Sequence, residues 1–249
     1  DPDLLRGHYR IRLAPNQVGK MQRVRVTMHQ NSENYAREML SAVTKAQNKG
    51  AHLAVVASEL EGPEESFQEL TSWFALSGVK LATGKIVNQY ALNIHAGLVL
   101  RYDGTFLEVY RGVEESHAGH MAATAIVRNV TVPHPWCFAL HRDLLGVLHQ
   151  SLSDYRGSWA VPDLALKAAQ AGHRCVYNPW ARFVCACDPP ELEPQGPELE
   201  LFRSRWKRRL LQGDAFYNPG LTLVRRDMSL MDAVEETKWQ EIISRIQGG

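Results

Sequence analysis

Residues Ala51 to Ala57 (AHLAVVA) form a nearly continuous apolar run bounded by a polar cluster. A strand with one wet face alternates polar and apolar residues. An unbroken apolar run suits a strand buried on both faces, as in sheets covered by helices on either side. The neighbouring segments agree. Ser32 to Ala46 reads as a helix, with Tyr35, Met39, Ala42, Val43 and Ala46 near helical spacing and Asn48-Lys49-Gly50 closing it. A second helix is predicted from about Pro63 to Ser77, with proline near its first turn and acids at its start.

His8 to Leu13 and Arg23 to Met28 alternate as half-buried strands do, with turn chemistry from Pro15 to Gly19 between them. Short strands are expected near Lys80 to Val87, Ala96 to Tyr102 and Phe106 to Val109, the last two joined by an Asp103-Gly104 hairpin turn. Arg111 to Ala123 reads as a loop or short helix. Val130 to His141 reads as strand, Pro162 to Ala171 as helix, and Arg174 to Tyr177 and Phe183 to Cys187 as apolar strand runs. Asp188 to Glu198, rich in prolines and acids, is an exposed, extended connection. Glu200 to Leu211 is a basic helix. Met228 to Ile246 is a helix with Met231, Val234, Ile242 and Ile246 on one stripe, flanked by Trp239 and Ile243. No internal repeat is visible.

Composition narrows the partners. The chain has 249 residues, 45% hydrophobic and 22% charged, which is ordinary for a soluble protein. Lys and Arg total 28 against 27 for Asp and Glu, so bulk charge points to neither nucleic acid nor membrane. No apolar run approaches the ~20 residues of a membrane helix, and DPDLLRGHYR does not read as a signal peptide. Four cysteines in a chain of this length make no disulfide framework. A reducing, cytoplasmic setting is the expectation.

Several segments, in order, carry a resemblance. They are Asn31 to Ala36 with its helix and buried strand, Ile94 to Leu100, Arg128 to Thr131 followed by His141 to Leu145, Asp163 to Arg174, and Asp214 to Leu223 (DAFYNPGLTL). Together they span roughly residues 25–225 and resemble family 2 glycosyltransferases of the polysaccharide or rhamnosyltransferase type. The resemblance implies a GT-A-like α/β fold with a mostly parallel central sheet flanked by helices and a C-terminal helical extension. The implied division is an N-terminal extension or truncated start at 1–22, the glycosyltransferase-like domain at 23–225 and an amphipathic helix at 226–249. It also implies a nucleotide-sugar donor held by Mg²⁺ or Mn²⁺ and a carboxylate base that deprotonates an acceptor hydroxyl.

The implied chemistry is missing at the matching positions. The family has a metal-binding aspartate motif after the strand occupied here by Leu53 to Ala57, and this chain reads Ala57-Ser58-Glu59-Leu60-Glu61. Glu59 and Glu61 share a face if the strand continues, and either carboxylate can ligate a metal; the other reading is solvated acids at a loop start. The family's base lies two residues before Asp163, where Ala160-Val161 stand. Valine accepts no proton, and loss of a general base costs about 10²–10⁴ in rate. Asp163 is then either a substitute base or a structural carboxylate at a helix start. The family's late histidine falls at Cys185 or Ala186. Cys175, Cys185 and Cys187 read as buried thiols, with zinc as the alternative. The family also opens with a nucleotide-cradling strand, and the residues ahead of Arg23 do not read as one.

Other features have two readings each. His117 and His120 are either a metal-chelating pair or exposed loop histidines. Arg203, Arg205, Lys207, Arg208 and Arg209, with Trp206 among them, are either a solvated helix face or a nucleic-acid contact. Trp136 and Trp159 on the acceptor side, with Trp180 and Tyr177, are either a sugar-stacking platform or core. The sequence therefore predicts a degenerate, non-catalytic glycosyltransferase-like module without a cofactor, binding other domains, subunits or a glycan. The alternatives are an active inverting transferase using Glu59 or Glu61 with Mg²⁺ or Mn²⁺, and nucleic-acid binding through residues 203–209.

Overall fold

A computed structural model describes residues 19–26, 32–155, 157–186, 192 and 197–248. The expected strand at His8 to Leu13, Cys187 and most of the Asp188 to Glu198 connection lie outside the described residues.

In chain order, β1 (Met21–Val26) is followed by α1 (Ser32–Lys49), β2 (His52–Ala57) and the short β3 (Leu60–Glu61). Next come α2 (Glu64–Ser72), a 3-10 turn at Trp73–Ala75, β4 (Val79–Asn88) and β5 (Asn93–His95). A separate hairpin of β6 (Leu98–Leu100) and β7 (Phe106–Glu108) precedes β8 (Arg128–Val130) and β9 (Cys137–Leu140). Then follow α3 (Leu145–Asp154), α4 (Ala160–Gln170) and β10 (Arg174–Cys185), and finally α5 (Pro197–Leu210) and α6 (Ala233–Gly248).

The main sheet has the order β1-β2-β9-β4-β10-β3, with β5 on β4 and β8 on β10. β1 pairs parallel with β2, and β4 parallel with β10. Because β9 runs antiparallel to both β2 and β4, the four principal strands β1, β2, β4 and β10 share one direction. This is the α/β architecture that the resemblance implies, with its principal strands parallel, and the apolar Ala51 to Ala57 run fits a strand inside it. All six β2 residues are buried, which accounts for that run.

Helices flank the sheet. α1 buries Tyr35, Met39, Ala42, Val43 and Ala46 and packs on β1, β2 and α3. α2 packs on β10, β4, β2 and β9. Phe67 of α2 meets Phe183 of β10 edge-on and lies beneath the guanidinium groups of Arg23 and Arg25.

Several elements differ from the sequence expectation. The apolar run at 174–177 and residues 183–185 of the second run belong to one strand, β10, whose register against β4 slips between Asn178 and Arg182. The bulge presses the Ala181 carbonyl to within 2.3 Å of where a Cβ on Gly84 would sit, so that position of β4 takes only glycine. The expected strand Val130 to His141 is two strands, since Pro133 and Pro135 interrupt ladder pairing. The last helix begins at Ala233, not Met228, because Asp232 caps it by accepting the Glu235 N–H at 2.9 Å. Its buried face carries Glu235 and Trp239, while Val234, expected on the apolar stripe, is 82% exposed. The helix α3 was not foreseen.

Candidate functional site

At the end of β2 the strand stops at Ala57, and Ser58 and Glu59 form a turn into β3. The expectation that Glu59 and Glu61 share a strand face therefore fails: Glu59 sits in the turn, and Glu61 is exposed on β3 opposite Val184. Glu59 Oε2 accepts the Ser58 hydroxyl at 3.0 Å, and the Ser58 N–H donates to the Val26 carbonyl at 2.7 Å. Arg25 reaches across from β1 and donates to the carbonyls of Ala57 at 3.1 Å and Leu60 at 2.5 Å. A guanidinium cation thus braces the turn at which the family resemblance places a divalent metal. Among the described residues no three His, Cys, Asp or Glu side chains are grouped to hold a metal ion. The carboxylates on offer here are divided, Glu59 in the turn with Oε2 accepting the Ser58 hydroxyl and Glu61 on β3.

The base position lies on the first turn of α4. Ala160 and Val161 are both fully buried and apolar. Asp163, two residues on, is also fully buried, and both its oxygens are engaged. Oδ1 accepts the Trp206 indole N–H at 2.9 Å and lies 3.4 Å from Arg205 NH1. Oδ2 accepts the Ser151 hydroxyl and forms an ion pair with Lys167, each at 2.7 Å. These partners come from α3, α4 and α5, so one carboxylate ties three helices. Arg205 also pairs with Asp154 at 2.6 Å, which holds the Asp154 carboxyl below the usual carboxylate range. Arg205 further covers the Tyr155 ring, 5.4 Å from its centroid.

The acceptor-side aromatics are built into the core. Trp159 packs between Phe106 and Phe202, with ring centroids at 5.6 and 4.9 Å. It borders a small pocket with Leu98, Phe106, Val132, Pro135 and Pro162. Trp136 is buried, its carbonyl accepts the Ala57 N–H at 2.8 Å, and its ring meets His134 edge-on at 5.0 Å. Tyr177 is fully buried and donates to the Thr124 carbonyl at 3.1 Å. Trp180 is half-buried. Trp136 and Trp159 make no ring contact with one another.

The remaining candidates are dispersed. His117 and His120 are exposed on a loop, and His117 Nδ1 accepts the Gly119 N–H at 3.1 Å. Cys137, Cys175 and Cys185 are buried thiols, and burial pushes Cys137 up to about 12. In the basic run, Arg203 donates to the Asp103 carbonyl at 2.6 Å, Arg205 pairs with Asp154, and Arg209 donates to the Gly213 carbonyl at 2.5 Å. Trp206 is buried, and Arg208 is exposed.

Sequence reasoning missed a polar cluster in the core. His95, His134 and Thr83 are fully buried, and Glu108 is nearly so. Thr83 Oγ1 donates to the Cys137 carbonyl at 2.7 Å and lies 3.3 Å from His95 Nε2. His134 Nδ1 accepts the Trp136 N–H at 3.2 Å, which leaves Nε2 facing Glu108 at 3.6 Å, with Arg111 3.1 Å from the other Glu108 oxygen. Burial lowers the pKa of both histidines, and for His95 the charges of His134, Arg128 and Arg111 add to it. His95 ends β5 and His134 lies between β8 and β9, and no sequence pattern signalled their meeting.

No protein-family model matches the chain, and no curated protein matches it. Among 23 solved chains that match is one of GalNAc-T7 with UDP, GalNAc and Mn²⁺. It is 14% identical with a TM-score of 0.47, and the likeness covers 82% of this chain and 41% of that one. The chain thus spans well under half the length of that structure.

Proposed function

We propose that this chain is a glycosyltransferase-like domain that does not transfer sugar, acting as a structural or partner-binding module of a larger polypeptide or assembly. One observation carries the reading. The position that the family resemblance assigns to the catalytic base is Val161, fully buried, and the neighbouring carboxylate, Asp163, has both oxygens bound to partners from three helices. A base must meet the proton it removes at hydrogen-bond distance with a lone pair available. The turn at Ser58 and Glu59 supports the same reading, since Arg25 places a fixed positive charge where transfer chemistry needs an exchangeable divalent ion. What persists of the family pattern is architectural. Asp214 in the DAFYNPGLTL segment accepts the Leu100 N–H at 2.9 Å and the Thr131 hydroxyl at 2.8 Å, holding the β6–β7 hairpin to the strand connection.

The test is an assay of donor hydrolysis and transfer with uridine, guanosine and thymidine diphosphate sugars in Mg²⁺ and in Mn²⁺, run beside affinity capture of co-assembled proteins. The proposal expects no turnover above the protein-free rate and a captured partner. Turnover abolished by Glu59→Gln overturns it in favour of an active inverting transferase.

A further inference from the structure

The second histidine pair lies at the opposite end of β2 from the Ser58 turn. His52 opens β2 and His141 follows β9, and their rings face each other with centroids 4.4 Å apart. Phe74 closes the stack, 5.2 Å from His52 and 5.8 Å from His141. Hydrogen bonds fix the tautomer of His52. The Arg142 N–H donates to His52 Nδ1 at 3.1 Å, so that nitrogen carries a lone pair and the ring is neutral. At His141, Nδ1 accepts the Asp143 N–H at 3.3 Å and lies 3.1 Å from the Lys80 ammonium.

The surroundings of His52 come from every neighbouring element. Lys80 stands on β4, and His141, Arg142 and Asp143 follow β9. Phe74 caps the stack from the turn after α2, and Gly19 lies against the Nε2 edge from the approach to β1. His173, ahead of β10, adds positive charge at His141. Asp143 is the one acid of the group, and its Oδ2 is shared between Lys80 at 2.7 Å and His141 Nδ1 at 3.1 Å. A proton arriving at His52 has to take Nδ1, which displaces the Arg142 N–H and sets a cation beside Arg142, Lys80 and His141.

We propose that His52 and His141 form an acid-released latch: protonation of His52 frees the His141–Leu144 turn from the end of the sheet while the sheet itself stays folded. The turn leads directly into α3, so its release loosens the approach to the helix that supplies Ser151 to Asp163. This goes beyond the functional reading above and stands whether or not the domain transfers sugar. Burial, His141 and Arg142 set His52 to titrate at about 4, below an ordinary histidine, so the latch opens under acid conditions and is shut at neutral pH.

The test is amide hydrogen exchange in the whole chain, expressed as protection factors to remove the intrinsic pH dependence. Between pH 7 and pH 4.5 the Arg142 amide is expected to lose at least tenfold in protection while Val55, inside β2, keeps its own. His52→Asn presents an acceptor oxygen where Nδ1 was and cannot gain a proton, and in that variant Arg142 is expected to stay within about threefold. Constant Arg142 protection in the parent chain, an equal loss in His52→Asn, or a parallel loss at Val55 each overturns the proposal. If His52→Asn does not fold, the imidazole resonances of the parent decide: a His52 titration at the ordinary histidine value overturns it, and one well below supports it.

Discussion

The Trp206 indole donates to Asp163 Oδ1 at 2.9 Å across 43 residues of sequence, inside the core and away from water. With Ser151 and Lys167 on the other oxygen, the carboxylate is the joint between α3, α4 and α5. Removing one member of a buried ion pair leaves the other uncompensated, at a cost of about 3–5 kcal/mol. Asp163→Ala is therefore expected to lower stability by about 3 kcal/mol in urea unfolding. Asp163→Asn keeps the shape and loses less. A neutral effect of both would show that the joint is not formed.

Val161 invites the opposite experiment. Val161→Asp places a carboxylate at the position the resemblance assigns to the base, but the site is sealed. An unpaired buried charge is strongly unfavourable, and the group protonates or the fold yields. The expected result is a loss of at least about 2 kcal/mol in chemical denaturation with no gain of transfer. A soluble, stable Val161→Asp chain that turns over donor would mean the cleft is open.

Asp214 is expected to matter for folding alone. It binds the Leu100 N–H, the Thr131 hydroxyl and the Phe216 N–H, the last at 2.8 Å. Asp214→Ala strands these donors, each worth about 1 kcal/mol. A drop of about 2–3 kcal/mol is expected by thermal or urea unfolding, with the far-ultraviolet spectrum unchanged at low temperature.

The core histidines set the response to acid. His95 and His134 are neutral in the fold, with pKa values depressed chiefly by burial. Below the ordinary histidine value of about 6.5 the unfolded chain binds protons that the folded chain refuses, so stability is full above that pH and falls beneath it. Each histidine kept neutral contributes a slope approaching about 1.4 kcal/mol per pH unit. The urea midpoint is expected to fall from pH 7.5 to pH 5.5, with proton uptake on unfolding. A flat midpoint over that range would contradict the assignment.

The buried thiols give a quick check of the core. Cys137, Cys175 and Cys185 are sealed, and burial raises the Cys137 and Cys175 pKa values. In a Cys187→Ser background, Ellman's reagent at pH 8 is expected to find no reactive thiol until denaturant is added. Prompt reaction of one thiol per chain in buffer would show that one of the three is accessible.

The layers of the fold were legible where a single local rule governs. The run at 51–57 showed a strand covered on both faces, Asp103-Gly104 marked the hairpin, and five apolar positions of α1 were read correctly as its buried side. The bulge in β10 was not legible, because it depends on Gly84 of another strand receiving the Ala181 carbonyl. Val234 looked apolar and inward by spacing, yet the Asp232 cap rotates the helix so that Glu235 and Trp239 face in. At the candidate site residue identities were legible, such as valine for a base. It could not reveal that Asp163 would be claimed by a tryptophan 43 residues away or that Arg25 would brace the Ser58 turn. Long-range hydrogen bonds leave no periodicity to read.

The central claim is that no exchangeable metal and diphosphate site survives at the end of β2. Its most direct test is calorimetric titration of uridine diphosphate with Mn²⁺ into the purified chain. The account predicts no saturable heat up to millimolar nucleotide and no difference in Glu59→Gln. Saturable, Mn²⁺-dependent binding at micromolar concentration that Glu59→Gln removes would contradict it.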